Sequence, residues 1–359
     1  MHFLNPTARQ GDHARGLFTG DEYRQVNEFF ATHPELRSTP LRSLPTLAAS
    51  LGIAALDVKD ETSRFGLHAF KIAGVSYAME RLNTSGIRAV VCATAGNHGR
   101  AVARAASERR LRCTVFLPAL RTNNPLEEAT RDNRIRGMRE DGADVIETDG
   151  GYEQAVTRAA EFAGTTGATV VSDTSWDGYE TIPRWIMAGY TRLFDEAAGQ
   201  WERPPDVVIV QGGVGGLVCA AASWFAWRFA GRRPFFIACE PEAAACLLAS
   251  ADAGHPVTID ASLDTIMAGL RCATPSPVAW PAIAATVDAF VTTTDTTVMR
   301  MLTTLRELPN DERIEAGPSG GCGLAALSAL MNDDQYTAVR KAARLDRSSR
   351  VLAVVTEGA

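Results

Sequence analysis

The chain has 359 residues, 46% hydrophobic and 22% charged, with 36 basic residues against 42 acidic ones and a net charge of −6. That composition fits a folded globular protein long enough for two cores, and excludes a disordered or fibrous chain. The arginines alternate with acids, as in Arg131-Asp132 and Asp311-Glu312-Arg313, so neither a nucleic-acid footprint nor a polybasic membrane patch is expected.

The opening MHFLNPTARQ lacks the apolar run of a signal peptide. The longest apolar stretch, Leu217–Ala230, carries Arg228 and is well short of the ~20 residues that span a bilayer. A buried helix is the expectation there. Seven cysteines, an odd number scattered through apolar runs, suggest reduced core residues of a cytoplasmic protein. The six histidines form no HxxH or HxxxH pair, so no metal site is expected.

From about residue 86 strands and helices alternate. Ala89–Ala93 reads as a buried strand, Asn97–Arg110 as a helix and Cys113–Leu117 as a strand closed by Pro118. Leu126–Asp141 is a charged helix, Asp144–Thr148 a strand, Tyr152–Ala163 a helix and Thr169–Asp173 a strand. A helix over Ile182–Ala198 leads to a second run: strand Asp206–Val210, a glycine loop, the Leu217 helix, strand Phe235–Cys239 and a last strand Val351–Val355. Short apolar strands separated by helices predict βαβ units and parallel sheets. Two α/β domains are expected, with ligands at the carboxyl ends of the strands in a cleft between them.

Four strand ends or loops carry polar residues. In VIVQGGVGG, Gly212, Gly213, Gly215 and Gly216 flank Val214 between a strand and a helix. Such a loop turns backbone N–H groups toward one point at a helix N-terminus, which suits a phosphate. It fits neither G-x-G-x-x-G nor a P-loop. A dinucleotide reading, with Glu240 on the ribose, stands as a distant alternative. CATAGNHGR, residues 92–100, offers Thr94 and Asn97 as ligand contacts or plain helix caps. There His98 reads as structural. Asp173 ends a strand, as an acid facing the cleft or a cap. Ala316–Gly323 and the terminal VVTEGA place Ser319 and Thr356 at further loop ends.

Lys71 is the outlier. Only three of the 36 basic residues are lysine, and this one lies in AFKIAGV. Its bland explanation is a buried stem with the ammonium in water. A dry site, however, releases the proton more easily and frees a nucleophilic amine, which arginine cannot supply. With a phosphate cup, one such lysine suggests pyridoxal 5′-phosphate.

These motifs resemble a known family. KDETSRFGLHAFK (59–71), ATAGNHGR (93–100), SDTSWDGYETIPRWIMAGY (172–190), QGGVGG (211–216), PSGGCG (318–323) and the final TEG (356–358) are similar to diaminopropionate ammonia-lyase. That enzyme is a member of the fold-type II pyridoxal-phosphate superfamily of threonine dehydratase and the tryptophan synthase β chain. The resemblance implies an α/β fold with a large cofactor-binding domain, 1–85 and 186–359, and a small mobile domain, 86–185. It makes Lys71 the Schiff-base lysine and sets Asn97 by the cofactor's phenolic oxygen. Gly212, Gly213, Val214, Gly215 and Gly216 become the phosphate cup. Thr356 is the neutral hydroxyl at the ring nitrogen, and Asp173 an acid that takes the Cα proton. Thr94, Ala95 and Ser319 fall at the substrate.

Ala95 departs from the family, where an aspartate serving the D-substrate is usual. Pro318 stands in place of an expected glutamate, and Arg121–Glu140 looks longer than its counterpart. The implied function is α,β-elimination on a small L-amino acid such as 2,3-diaminopropionate, through an aminoacrylate, to pyruvate and ammonia. The alternatives are a β-replacement synthase, a threonine or serine dehydratase and, distantly, an NAD(P)-dependent oxidoreductase. The resemblance further implies a homodimer in the cytoplasm with a small amino-acid substrate and no nucleic-acid or membrane partner.

Overall fold

The computed structural model describes residues 1–82, 86–94, 96–119 and 125–359, without the side chains of 12, 13, 125–127 and 153. The chain divides into two compact units, Met1–Phe70 with Tyr190–Ala359, and Lys71–Gly189. Among the described residues the strands are β1 (His2–Leu4), β2 (Leu41–Ser43), β3 (Ala55–Asp60), β4 (Ala89–Ala93), β5 (Arg112–Leu117), β6 (Asp144–Glu147), β7 (Thr169–Val170), β8 (Val207–Gln211), β9 (Phe235–Pro241), β10 (Ala289–Thr293) and β11 (Arg350–Val355).

The larger unit holds one sheet in the order β1-β10-β9-β8-β11-β3-β2. Its five central strands are parallel, and β1 and β2 close the edges antiparallel. All five residues of β8 are buried, which explains its unbroken apolar run: both faces of a parallel strand are covered. The helix Pro318–Asn332 packs against β8, β9, β10 and β11. Its Leu324, Leu327 and Leu330 share a core with Leu56, Val58, Ile209 and Val351. Each such side chain stabilises the fold by roughly 1.5–3 kcal/mol.

β3 is buried yet charged. Lys59 is fully enclosed, as are Glu61 and Arg64 just beyond the strand. Lys59 Nζ lies 2.9 Å from Glu196 Oε2 and donates to the Thr39 carbonyl at 2.7 Å. Arg64 bonds both oxygens of Glu61 and both of Glu196, and donates to Thr39 Oγ1. Every buried charge therefore has an opposite partner and hydrogen bonds. This network anchors the turn from which the chain runs to Phe70.

The smaller unit holds a four-stranded parallel sheet in the order β6-β5-β4-β7. Val91, Ala93 and Phe116 of the sheet pack on Ala155 and Ala159 of the helix Tyr152–Thr166. The helix Lys71–Arg81 packs along Asn97–Glu108, so the first boundary falls one helix earlier than residues 85/86. Gly189 lies on the helix Thr181–Tyr190, where a Cβ would stand 2.8 Å from Gly74 Cα; the two backbones touch there.

The helix expected over Ile182–Ala198 is instead two, Thr181–Tyr190 and Arg192–Ala198. The break comes where the chain leaves one unit for the other. Gly189 packs on Gly74 in the smaller unit, and Phe194 meets Phe225 edge-on in the larger. The strand expected over Thr169–Asp173 pairs only at Thr169–Val170, which leaves Asp173 in the loop beyond. Among the described residues no helix is long and apolar enough to cross a membrane.

Candidate active site

In the smaller unit Lys71 opens its helix, and its Nζ lies 2.5 Å from Asp173 Oδ2. The two residues are 102 positions apart in the chain, so the fold, not local sequence, brings them together. Burial by itself would raise the Asp173 carboxyl. The Lys71 ammonium, followed by His98, outweighs burial and holds that carboxyl well below the usual carboxylate range.

The loop bearing Asp173 is braced from beyond. Tyr179 Oη accepts from Ser172 N at 3.0 Å and donates to the Val170 carbonyl at 2.9 Å. Trp176 and Tyr179 exchange backbone hydrogen bonds and stack their rings 4.1 Å apart. Gly178, at φ +78°, allows that tight turn. The SDTSWDGY stretch thus places an acid and fixes it from both sides.

Thr94 and Asn97 flank the start of the helix Asn97–Glu108. Thr94 Oγ1 accepts from Gly96 N at 3.1 Å, so this hydroxyl shapes the turn itself. Asn97 is half-buried at the first helical position. Ala95 lies outside the described residues.

In the larger unit Gly212 to Gly216 join β8 to the helix Gly216–Phe229. Gly215 has φ +95°, a value that L side chains avoid. A Cβ at Gly212 would meet Leu247 Cδ1 at 2.5 Å, and one at Gly215 would meet Ile283 Cδ1 at 2.5 Å. Packed core thus occupies the side-chain directions. Among the described residues, the N–H groups of Gly213, Val214 and Gly215 have no protein acceptor. Three free donors ahead of a helix N-terminus are what a phosphate requires.

Thr356 follows β11 and Ser319 opens the helix Pro318–Asn332. Both are buried, and Gln211 links them. Its Nε2 lies 3.0–3.1 Å from Thr356 Oγ1 and from the carbonyls of Ser319, Gly320 and Val354. Ser319 Oγ accepts from Gly269 N at 3.1 Å, so this side chain braces the neighbouring loop. Phe70 N donates to the Thr356 carbonyl at 3.1 Å, tying down the residue just before Lys71.

Glu240 is not free to bind a ribose. Its two oxygens accept from Leu247 N and Leu248 N at 2.8 Å each, capping the helix Cys246–Ala253. Burial pushes its carboxyl up to about 8, against the lowering effect of those two bonds. The dinucleotide alternative loses its acid.

Comparison with known proteins agrees with this chemistry. Residues 33–357 match the family described as pyridoxal-phosphate dependent enzyme, and the chain belongs to that family. Its cofactor is pyridoxal phosphate and its fold is fold-type II. Within that class it falls among the diaminopropionate ammonia-lyases. It is 34% identical to diaminopropionate ammonia-lyase of Salmonella typhimurium, over 96% of this chain and 91% of the relative. It is 31% identical to that of Escherichia coli K12, over 95% and 89%. The crystal structure of the Escherichia coli enzyme in complex with an aminoacrylate-PLP azomethine reaction intermediate aligns with TM-score 0.87 and 30% identity, covering all of this chain and 93% of that one.

The residues present fit the cofactor: an amine at Lys71 beside the Asp173 carboxylate, N–H donors without a protein acceptor at the glycine loop, and a neutral hydroxyl at Thr356. Sequence reasoning missed Gln211, whose role depends on three carbonyls more than 100 residues downstream. It also left His98 as structural, since its neighbour Asp173 comes from another part of the chain.

Proposed function

We propose that this chain is an ammonia-lyase that removes ammonia from a small L-amino acid such as 2,3-diaminopropionate by α,β-elimination, giving pyruvate. The observation that carries it is the 2.5 Å contact of Lys71 Nζ with Asp173 Oδ2, in a chain of the diaminopropionate ammonia-lyase family. Lys71 would hold the cofactor through its ε-amine. The free N–H groups of Gly213, Val214 and Gly215, in the loop Gly212 to Gly216, would take its phosphate, while Gly212 N donates to the Cys239 carbonyl at 2.9 Å. Asn97 would meet its phenolic oxygen, and Thr356 Oγ1 its ring nitrogen. When bound, pyridoxal phosphate supplies an electron-withdrawing ring that accepts the pair released from Cα.

The chain's own residues manage protons. Asp173, kept ionised chiefly by the Lys71 ammonium, is the base for the Cα proton at Oδ2. The Lys71 amine, once free of the cofactor, is close enough to take that proton or return it. Tyr179 holds the Asp173 loop so that the carboxylate meets the amine. Thr94, Ala95 and Ser319 would contact substrate. With alanine at 95 there is one acid for one face of Cα, so an L-substrate is preferred over its D-enantiomer. Equal turnover of the two enantiomers of 2,3-diaminopropionate would refute that preference.

The decisive experiment uses the purified holoenzyme. Wild type should show the near-visible absorbance of bound cofactor and release pyruvate and ammonia from L-2,3-diaminopropionate without an added nucleophile. Lys71→Ala should lose both. A Lys71→Ala protein that keeps the band after dialysis refutes the lysine's role. We also propose a cytoplasmic homodimer without nucleic-acid or membrane partners. Family resemblance supports the dimer and its location, the net charge of −6 speaks against a nucleic-acid partner, and sedimentation velocity of the holoenzyme tests the dimer.

A further inference from the structure

One atom of the lysine centre has no assigned role. The His98 side chain is 5% exposed, and its Nε2 lies 2.9 Å from the Val171 carbonyl. A carbonyl only accepts, so Nε2 carries a proton. In a neutral ring Nδ1 is then a bare acceptor. Nδ1 is buried, has no hydrogen-bond partner and stands 3.8 Å from Asp173 Oδ2. Two acceptors facing each other in a buried site are unfavourable unless a proton lies between them, on one or the other.

The groups around this pair narrow the choice. Lys71 reaches Asp173 from the helix Lys71–Arg81, Cys92 lies on β4, and Tyr179 follows β7. Burial, reinforced by the charge of Asp173, pushes the Cys92 thiol and the Tyr179 phenol upward, so both remain neutral. Lys71 and His98 are left to exchange protons with Asp173. Lys71 is committed whenever its amine holds the cofactor.

We propose that His98 is a positioning residue for the elimination: it acts through Asp173, as the store for the proton that Asp173 takes up. This rests on the reading of Asp173 as a base. The transfer balances simply. The O–H bond at Asp173 Oδ2 breaks, an N–H bond forms at His98 Nδ1, the acid becomes carboxylate again and the imidazole becomes imidazolium. Nothing is oxidised or reduced. A side-chain movement of roughly 1 Å closes 3.8 Å to hydrogen-bond distance. The Val171 carbonyl holds the ring from behind and aims Nδ1 at the acid.

The test uses full-length holoenzyme labelled with 15N-histidine, in wild type, Asp173→Asn and His98→Gln. Glutamine at 98 keeps an N–H donor for Val171 and removes the proton store. The signal absent from His98→Gln is that of His98. With substrate added, its Nδ1-protonated fraction should rise at least twofold over the resting holoenzyme, and Asp173→Asn should abolish that rise. In His98→Gln, kcat should fall roughly tenfold or more with KM unchanged, and the cofactor absorbance should stay. An unmoved Nδ1 signal, or wild-type kcat in His98→Gln, overturns the proposal. Should Asp173→Asn not fold, the kcat and KM split in His98→Gln decides alone. Coupled nitrogen signals without any turnover of amino acids would instead sink the lyase reading and leave the His98–Asp173 pair standing.

Discussion

Replacing Arg64 with methionine removes the centre of the buried ion network of the larger unit. Arg64 donates at 2.8 Å to Glu61 Oε1, at 2.7 Å and 3.2 Å to the two oxygens of Glu196, and at 3.0 Å to Thr39 Oγ1. Without it, Glu61 stays enclosed with the Thr39 hydroxyl as its nearest donor, 2.7 Å away. Glu196 still has Lys59 and Arg192. Breaking a buried ion pair from one side costs about 3–5 kcal/mol, because the other charge remains buried. For a unit of this size, ~2–4 °C accompanies each kcal/mol, so Tm should fall on the order of 10 °C. Thermal melts followed by circular dichroism near neutral pH read this directly. The acid side gives a second check. Burial pushes the Glu196 carboxyl up, but Arg64 and then Lys59 hold it at about 2, below its ordinary 4.5. The folded state therefore binds fewer protons than the unfolded one in that window. The network's contribution is full above the ordinary value and is lost as pH falls toward the folded one. Arg64→Met forfeits much of that contribution already, so its deficit against wild type should shrink on acidification. A Tm loss under about 2 °C, or a deficit that does not change with pH, refutes the reasoning.

Gly215→Ala forces a side chain into φ +95° and against Ile283 Cδ1; it should cost about 1–3 kcal/mol and weaken cofactor retention on dialysis, and an unchanged melt and absorbance would contradict this. Glu240, with its carboxyl raised to about 8, binds more protons folded than unfolded between its ordinary value and that one. Wild-type stability should decline as pH rises through this window, while Glu240→Gln shows no such decline; parallel melting curves across that range would refute the assignment.

The alternating strands and helices after residue 86 were legible because parallel strands buried on both faces leave continuous apolar runs. β3 was not, since Lys59 and Asp60 make ALDVKD look solvated; the acid in contact with Lys59, Glu196, comes from far along the chain. Lys71 stood out through the scarcity of lysine, and the glycine loop through its local pattern. Gly189 precedes the break at Thr191 but does not announce it, because that glycine serves a close contact with Gly74 and the break is set by two cores, each claiming one half of the segment. His98 and Gln211 share a different difficulty: the meaning of each lies in partners from other elements, and no window of the sequence contains them.

Gln211 also gives its corner of the larger unit a direction. Its amide nitrogen has two hydrogens and faces four oxygens, so the flipped amide would set its oxygen against three carbonyls, with only the Thr356 hydroxyl able to donate back. The three carbonyls hold the amide in this orientation, so Thr356 Oγ1 can receive from it. A hydroxyl that receives on one side gives on the other, and the Ser319 carbonyl at 3.5 Å is a distant taker. After accepting from Gln211, the Thr356 hydroxyl keeps its hydrogen and a second lone pair for a ligand atom that meets it. A glutamate at 211 would set carboxylate oxygens against three carbonyls that can only accept, leaving the Thr356 hydroxyl as the one donor among these four partners.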